Sequence, residues 1–258
     1  MEDYFKFSSS IQKINMKSFF NQNILNPNLD TEQIRKDFEQ NKVVVIKDFL
    51  KPEVAERLHT WFTEEMPKGW WRISSYPKLD NTDGFDLIPF DDEFSDDIER
   101  MYTHSINRFK DNEFAYNFHR TVNDHEDTCD CYECGFREAL VTEEVLSFLN
   151  KATGQRLYTT DEVFGAVYLP GDYLSPHQDS PNGTLGFVYQ LTKNWKAQFG
   201  GNLHFMDGPD GNVERVEVPS FNTVTLFDLP KGVGKWHFVS TVSPGVEELR
   251  LTYAGWFK

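Results

Sequence analysis

From Thr160 to the end, the chain is a succession of short apolar runs, each closed by a turn former, and this pattern most narrows what it can fold into. Val163-Phe164-Gly165-Ala166-Val167-Tyr168 is apolar and aromatic, and Gly171 then turns the chain into Tyr173-Leu174-Ser175-Pro176-His177. Gly186 to Leu191, Leu203 to Met206 and Leu249 to Phe257 repeat the theme. Gly232 and Gly234 shape a hairpin before Trp236-His237. Runs of this length between turn signals read as antiparallel strands.

The first half reads differently. Asp30 or Thr31 caps a helix through about Gln40, Val43-Val44-Val45-Ile46 is a buried strand, and Pro52 opens a helix from Glu53 to Glu65 with Val54, Leu58, Trp61 and Phe62 on one face. Further helices fall at Ser95–Lys110 and Thr142–Lys151, with a strand at Phe114–Arg120, whereas Trp70 to Asp92 is irregular. Helices first and many short strands later predict a mainly β protein with flanking helices (α+β), its core a double-stranded β-helix or jelly roll. The expected division is a polar arm at 1–29, then one domain at 30–258 with helical support at about 30–150 and a catalytic core at about 155–258.

His177-Gln178-Asp179 stands at the end of one predicted strand, and Trp236-His237 and Arg250 follow on later ones. Alone the triplet means little, since His125-Glu126-Asp127 is a second one, but the latter lacks a strand pattern around it. Residues i and i+2 of a strand share a side, so His177 and Asp179 can offer a nitrogen and an oxygen to one ion, which His237 would complete. Two histidines and a carboxylate leave three open positions on an octahedron, an arrangement suited to Fe(II) and oxygen chemistry, whereas zinc prefers a more closed tetrahedron. Arg250 offers a planar charged fork for a carboxylate, and Thr252 shares its strand face.

The order Tyr168-Leu169-Pro170-Gly171-Asp172-Tyr173-Leu174-Ser175-Pro176-His177-Gln178-Asp179, Gly200-Gly201-Asn202-Leu203-His204-Phe205, Trp236-His237-Phe238-Val239 and Arg250–Phe257 resembles the prolyl-hydroxylase-like branch of the Fe(II)- and 2-oxoglutarate-dependent dioxygenases. The resemblance covers roughly 42 to 257. It implies His177, Asp179 and His237 as iron ligands, Arg250 as partner of the 2-oxoglutarate C5 carboxylate, and Tyr168 as a hydrogen-bonding tyrosine beside the co-substrate. Gln190 stands where related enzymes often place a second tyrosine. Because Asp179 fills the position that halogenating relatives leave as Gly or Ala, hydroxylation of an unactivated C–H bond is favoured, with release of succinate and CO2. The first expectation for the substrate is a free amino acid or similar small metabolite, since Trp70 to Asp92 could close over a small ligand. A proline-containing peptide is the alternative, and a non-enzymatic metal-binding jelly roll is the reading of another class.

A formal charge of −15 excludes reliance on Lys and Arg to neutralise a nucleic-acid backbone. The start Met1-Glu2-Asp3-Tyr4-Phe5-Lys6 has no apolar core of a leader, and no run approaches a bilayer span, so a cytoplasmic protein without membrane association is expected. The three cysteines, Cys129, Cys131 and Cys134, lie within six residues, four behind His125, and could hold a structural zinc; reduced thiols in an ordinary loop are the alternative. Trp70 and Trp71 read as core rather than substrate wall, and His204 as no ligand. Arg72, Tyr116, Arg120 and Asn222 are the polar candidates for a substrate pocket, each equally able to serve a structural hydrogen bond.

Overall fold

The computed structural model describes residues 16–122, 125, 128–179, 182–230 and 234–258. Residues 1–15 of the expected arm, Glu126 and Asp127 of the second triplet, and Gly232 of the expected hairpin lie outside them. Among the described residues five α-helices precede the strands of the C-terminal half: α1 (Thr31–Asn41), α2 (Pro52–Thr60), α3 (Ser95–Lys110), α4 (Tyr132–Ala139) and α5 (Glu143–Thr153). The strands are β1 (Val43–Ile46), β2 (Trp71–Tyr76), β3 (Asp86–Pro89), β4 (Tyr116–Thr121), β5 (Thr160–Tyr168), β6 (Tyr173–His177), β7 (Leu185–Gln190), β8 (Leu203–Met206), β9 (Val213–Glu217), β10 (Thr223–Asp228), β11 (Trp236–Val239) and β12 (Arg250–Phe257).

All pairings are antiparallel, in the order β1-β10-β7-β12-β5-β4-β6-β11-β8-β9, with β2 and β3 added beside β4. β4 turns the corner: His119 and Arg120 pair with β5, while Tyr116 and Asn117 pair with β6. The two sheets joined there face each other in a mainly β jelly-roll fold with flanking helices.

Strand alternation separates two cores. Phe164, Ala166 and Tyr168 of β5, with Phe227 and Phe205, point between the sheets, while Val163, Val167, Leu251, Tyr253, Val224 and Leu226 point to the helices on the outer face. Phe62 and Phe136 pack on Tyr253 at ring separations of 5.9 and 5.2 Å. A Cβ on Gly165 would stand 2.8 Å from the Phe62 ring, so glycine lets the helical layer approach the strand.

Asp30 caps α1 as expected, accepting from the Gln33 amide at 3.0 Å. The helix expected at Glu53–Glu65 is instead α2 followed by a π turn at Trp61–Glu65. The wider turn lets the adjacent Trp61 and Phe62 both be buried. Regular structure begins before Asp30, with a 3-10 turn at Lys17–Phe20 and buried Phe20, Ile24 and Leu25. The irregular stretch from Trp70 to Asp92 contains the β2–β3 hairpin, its turn formers confined to the connection. No helix of the described residues is long and apolar enough to cross a membrane.

Candidate functional site

His177 ends β6 and sits opposite His237 of β11 in register, which brings their ring centroids to 4.2 Å. Asp179, two residues past His177, returns its carboxylate between them: Oδ1 lies 3.1 Å from His177 Nε2 and Oδ2 lies 3.4 Å from His237 Nε2. Each ring is held from behind. Nδ1 of His177 donates to the Ser175 carbonyl and Nδ1 of His237 to the Lys235 carbonyl, both at 3.0 Å. A carbonyl only accepts, so both Nε2 atoms present lone pairs to the common centre. Ligands about 2.1 Å from one ion at right angles stand about 3 Å apart, so the donor set and spacing fit a divalent ion with an open face. Burial alone would raise the Asp179 carboxyl; when the rings instead carry a proton on Nε2 as well, the charge of His237 and hydrogen bonds from both histidines hold it well below the usual range.

The strand carrying His177 is fixed from its other end. Asp172, buried in the turn after β5, accepts from the Leu169 amide at 2.8 Å and from Tyr102 Oη at 3.0 Å, and meets His119 Nδ1 at 3.2 Å. Ser175 exchanges bonds with Ala115: its amide donates to the Ala115 carbonyl at 3.0 Å, and its Oγ accepts from the Ala115 amide at 2.8 Å. These contacts set the register that delivers His177 opposite His237.

Arg250 opens β12 opposite Tyr168 of β5, inside the same cavity of about 750 Å3 that His177, Asp179 and His237 line. It is 1% exposed, its Nε donates to the Gly201 carbonyl, and its guanidinium lies 4.3 Å from the Tyr168 ring centre. Among the described residues no carboxylate forms an ion pair with it. Burial pulls its pKa down to about 10, the signature of a cation stripped of water without a countercharge. The Gly200-Gly201 pair makes room for it: both have positive φ, 71° and 60°, and a Cβ on Gly201 would stand 2.7 Å from Arg250 Cδ. Thr252 lines the cavity beside Arg250, its Oγ1 3.5 Å from the Ala166 carbonyl. Gln190 is opposite Thr252 on the next strand, buried, with Oε1 lacking a partner among the described residues.

The outer wall of the cavity is aromatic, with Tyr76, Phe85, Phe114, Tyr116, Phe164 and Trp256. Of the four polar pocket candidates, Tyr116 and Arg120 line it. Arg120 pairs with Glu162 and lies 3.7 Å over the Phe164 ring. Arg72 turns away to the Gly69 and Trp71 carbonyls. Asn222 is structural: its side chain bridges the Leu50 amide and carbonyl at 2.9 and 2.8 Å and meets Tyr189 Oη at 3.0 Å. Trp71 is core, and Trp70 packs on Trp61 and His125. His204 stacks on Phe238 away from the site. Sequence reasoning missed Phe85, Glu162 and Trp256; strand alternation placed Trp256 on the Arg250 face, a signal it could have used.

Residues 163–258 match the family model described as the 2OG-Fe(II) oxygenase superfamily. A mouse protein named prolyl 3-hydroxylase OGFOD1 is 28% identical over 123 residues, which cover 46% of this chain and 22% of that protein, so the chain spans about a fifth of this relative. Among solved structures, an oxidoreductase of the 2OG-Fe(II) oxygenase family from Burkholderia pseudomallei superposes with a TM-score of 0.57 at 13% identity, covering 89% of this chain and 91% of the other. A prolyl hydroxylase from Trichoplax adhaerens, in complex with a peptide of the hypoxia inducible factor oxygen degradation domain, gives 0.50 at 14% identity and 88% of each chain. At these identities the structural likeness concerns the fold. The His-Asp-His set falls within the same segment, residues 163–258, that is similar to the 2OG-Fe(II) oxygenase superfamily.

Proposed function

We propose that the protein is an Fe(II)- and 2-oxoglutarate-dependent dioxygenase that hydroxylates an unactivated C–H bond. One observation carries the reading: Arg250, buried and without a carboxylate partner among the described residues, opens into the cavity that also holds the His177–Asp179–His237 cluster. A buried cation without a countercharge is costly, and a dicarboxylate reaching from the metal to the arginine would remove that cost. When bound, iron and 2-oxoglutarate would activate dioxygen, one oxygen atom going to the target C–H bond and the other to the co-substrate, which leaves as succinate and CO2.

The chain's own residues do the holding. Nε2 of His177 and His237 and the Asp179 carboxylate would bind the ion, kept in tautomer and orientation by the Ser175 and Lys235 carbonyls. The Arg250 guanidinium would take the distal carboxylate, with Thr252 Oγ1 as a second donor. The Tyr168 ring lies against Arg250, and its hydroxyl, without a partner among the described residues, would be a further donor. Gln190, in place of a tyrosine, would offer an amide. The aromatic wall would exclude water and press the target carbon toward the open metal face.

For the substrate, the aromatic wall and the mouse relative's name favour a prolyl side chain in a peptide: a compact apolar ring packs well on aromatic faces and needs no charged partner. The expectation of a free amino acid keeps one supporting observation, the Arg120–Glu162 pair at the cavity, which could receive the ends of a zwitterion. Succinate release would be followed with Fe(II), 2-oxoglutarate and either proline-containing peptides or free amino acids. Stimulation by peptides, lost in Asp179→Ala, is the expected result. Stimulation by free amino acids alone would transfer the assignment to them, and no metal-dependent turnover with any substrate would favour the binding-module reading.

A further inference from the structure

Away from the cavity, His125, Cys129, Cys131 and Cys134 converge on one point, each offering a ligand atom, with all four atoms within 4.8 Å of one another. His125 Nδ1 is the hub. It lies 3.1 Å from Cys134 Sγ, 3.5 Å from Cys131 Sγ and 3.6 Å from Cys129 Sγ. Thiolates about 2.3 Å from a tetrahedral zinc stand about 3.8 Å apart, and a thiolate and an imidazole nitrogen about 3.5 Å. The cluster has that size. An iron–sulfur cube would hold its cysteines farther apart than a 4.8 Å span permits. A disulfide would use two of the three thiols and leave the imidazole aimed at nothing, and all three are free.

We infer that His125, Cys129, Cys131 and Cys134 form a structural zinc site, separate from the His177–Asp179–His237 centre. Its surroundings suit thiolates. Cys131 is the N-cap of α4 and its Sγ accepts from the Cys134 amide at 3.4 Å, where the helix dipole favours negative charge. Arg137 Nη2 donates to Cys134 Sγ at 3.4 Å, offsetting the excess charge of three thiolates around one divalent ion. Trp70 covers the imidazole at a ring separation of 4.4 Å. A closed set of four protein ligands leaves no position for substrate, so the site supports structure.

What it supports can be followed atom by atom. The site ties the loop after β4 to the start of α4. Glu133, between two of the cysteines, accepts from Thr121 Oγ1 at 2.5 Å, and Thr121 Oγ1 accepts from the Gly165 amide of β5 at 2.9 Å. Phe136, one turn on, packs on Tyr189 and Tyr253. The metal therefore clamps a helix to the outer face of the sheet whose inner face carries Arg250.

The test is metal content of the full chain as purified and after Fe(II) is removed, in the native protein, Asp179→Ala and Cys134→Ser. The inference predicts about one zinc per chain in the native protein and in Asp179→Ala, and its loss in Cys134→Ser, with His125→Cys retaining it. Should Cys134→Ser not fold, Co(II) exchanged into Asp179→Ala decides. A sulfur-to-cobalt charge-transfer band and the strong visible bands of a tetrahedral ion support the site. Chelation should then also lower the melting temperature by about 5 °C or more. Zinc that disappears with Asp179→Ala but not with Cys134→Ser, or three thiols that alkylate equally fast before and after chelation, would overturn it.

Discussion

Arg250 keeps its fork in place through the Gly201 carbonyl on one side and the Tyr168 ring on the other, and its planar group stays free to receive a carboxylate. A methyl group at Gly201 would collide with Arg250 Cδ and strain a backbone with positive φ. Gly201→Ala should therefore raise the apparent KM for 2-oxoglutarate by roughly 10-fold or more while leaving iron affinity near native, the separation expected when only the anchor moves. Equal losses of iron and co-substrate binding would mean that the Gly200-Gly201 turn supports the whole site. At this scale the sequence was most informative. Strand geometry, which puts i and i+2 on one side, suggested pairing His177 with Asp179; the structure brings both together with His237, although β6 ends at His177 and Asp179 lies beyond it. Arg72 and Asn222, open between a pocket and a structural role in sequence, take the structural one; a polar side chain between apolar runs looks the same whether it faces a ligand or satisfies a backbone group.

Asp172 holds the turn between β5 and β6 with its carboxylate shared among Leu169 of that turn, Tyr102 of α3 and His119 of β4. Removing it leaves buried donors unpaired. Asp172→Ala should destabilise the protein by about 3–5 kcal/mol in urea unfolding. A loss below about 1 kcal/mol would show that water replaces the carboxylate. The elements least legible in sequence were α4 and the β2–β3 hairpin. α4 is eight residues long, carries Gly135 in its interior and is capped by a cysteine in place of the usual Ser, Thr, Asp or Asn. Gly135 is needed there because a Cβ would stand 2.8 Å from Lys17 Cα. In β2, the alternation of Trp71 to Tyr76 was outweighed by the turn formers that follow, which mark only the hairpin connection.

The last strand in sequence lies in the interior of the sheet: β12 pairs with β5 on one side and β7 on the other, along nearly its whole length. Truncation before Arg250 would expose two strand edges and uncover Phe62 and Phe136 on the helical face as well as removing the anchor. Such a truncated chain should lose cooperative thermal unfolding by circular dichroism. Retention of a sharp transition would mean that the helices and remaining strands form a unit without it. The mainly β architecture and the helices before it were readable from periodicity, because strand and helix periods differ plainly. The corner role of β4, pairing with both sheets, was not, since it depends on contacts distant in sequence. That corner places Tyr116 and Arg120 on the wall of the cavity that His177, Asp179 and His237 also line.

Under the proposed function, one cavity binds iron at His177, Asp179 and His237 and a dicarboxylate at Arg250. The most direct measurement is the visible metal-to-ligand charge-transfer band on adding Fe(II) and 2-oxoglutarate anaerobically to metal-free native protein and to Arg250→Ala. A band is expected in the native protein, with a dissociation constant for 2-oxoglutarate raised by roughly 10- to 100-fold in the variant, the loss of one charge-assisted bidentate contact. Bound Fe(II) with no band in the native protein, or an equal band and affinity in Arg250→Ala, would contradict it.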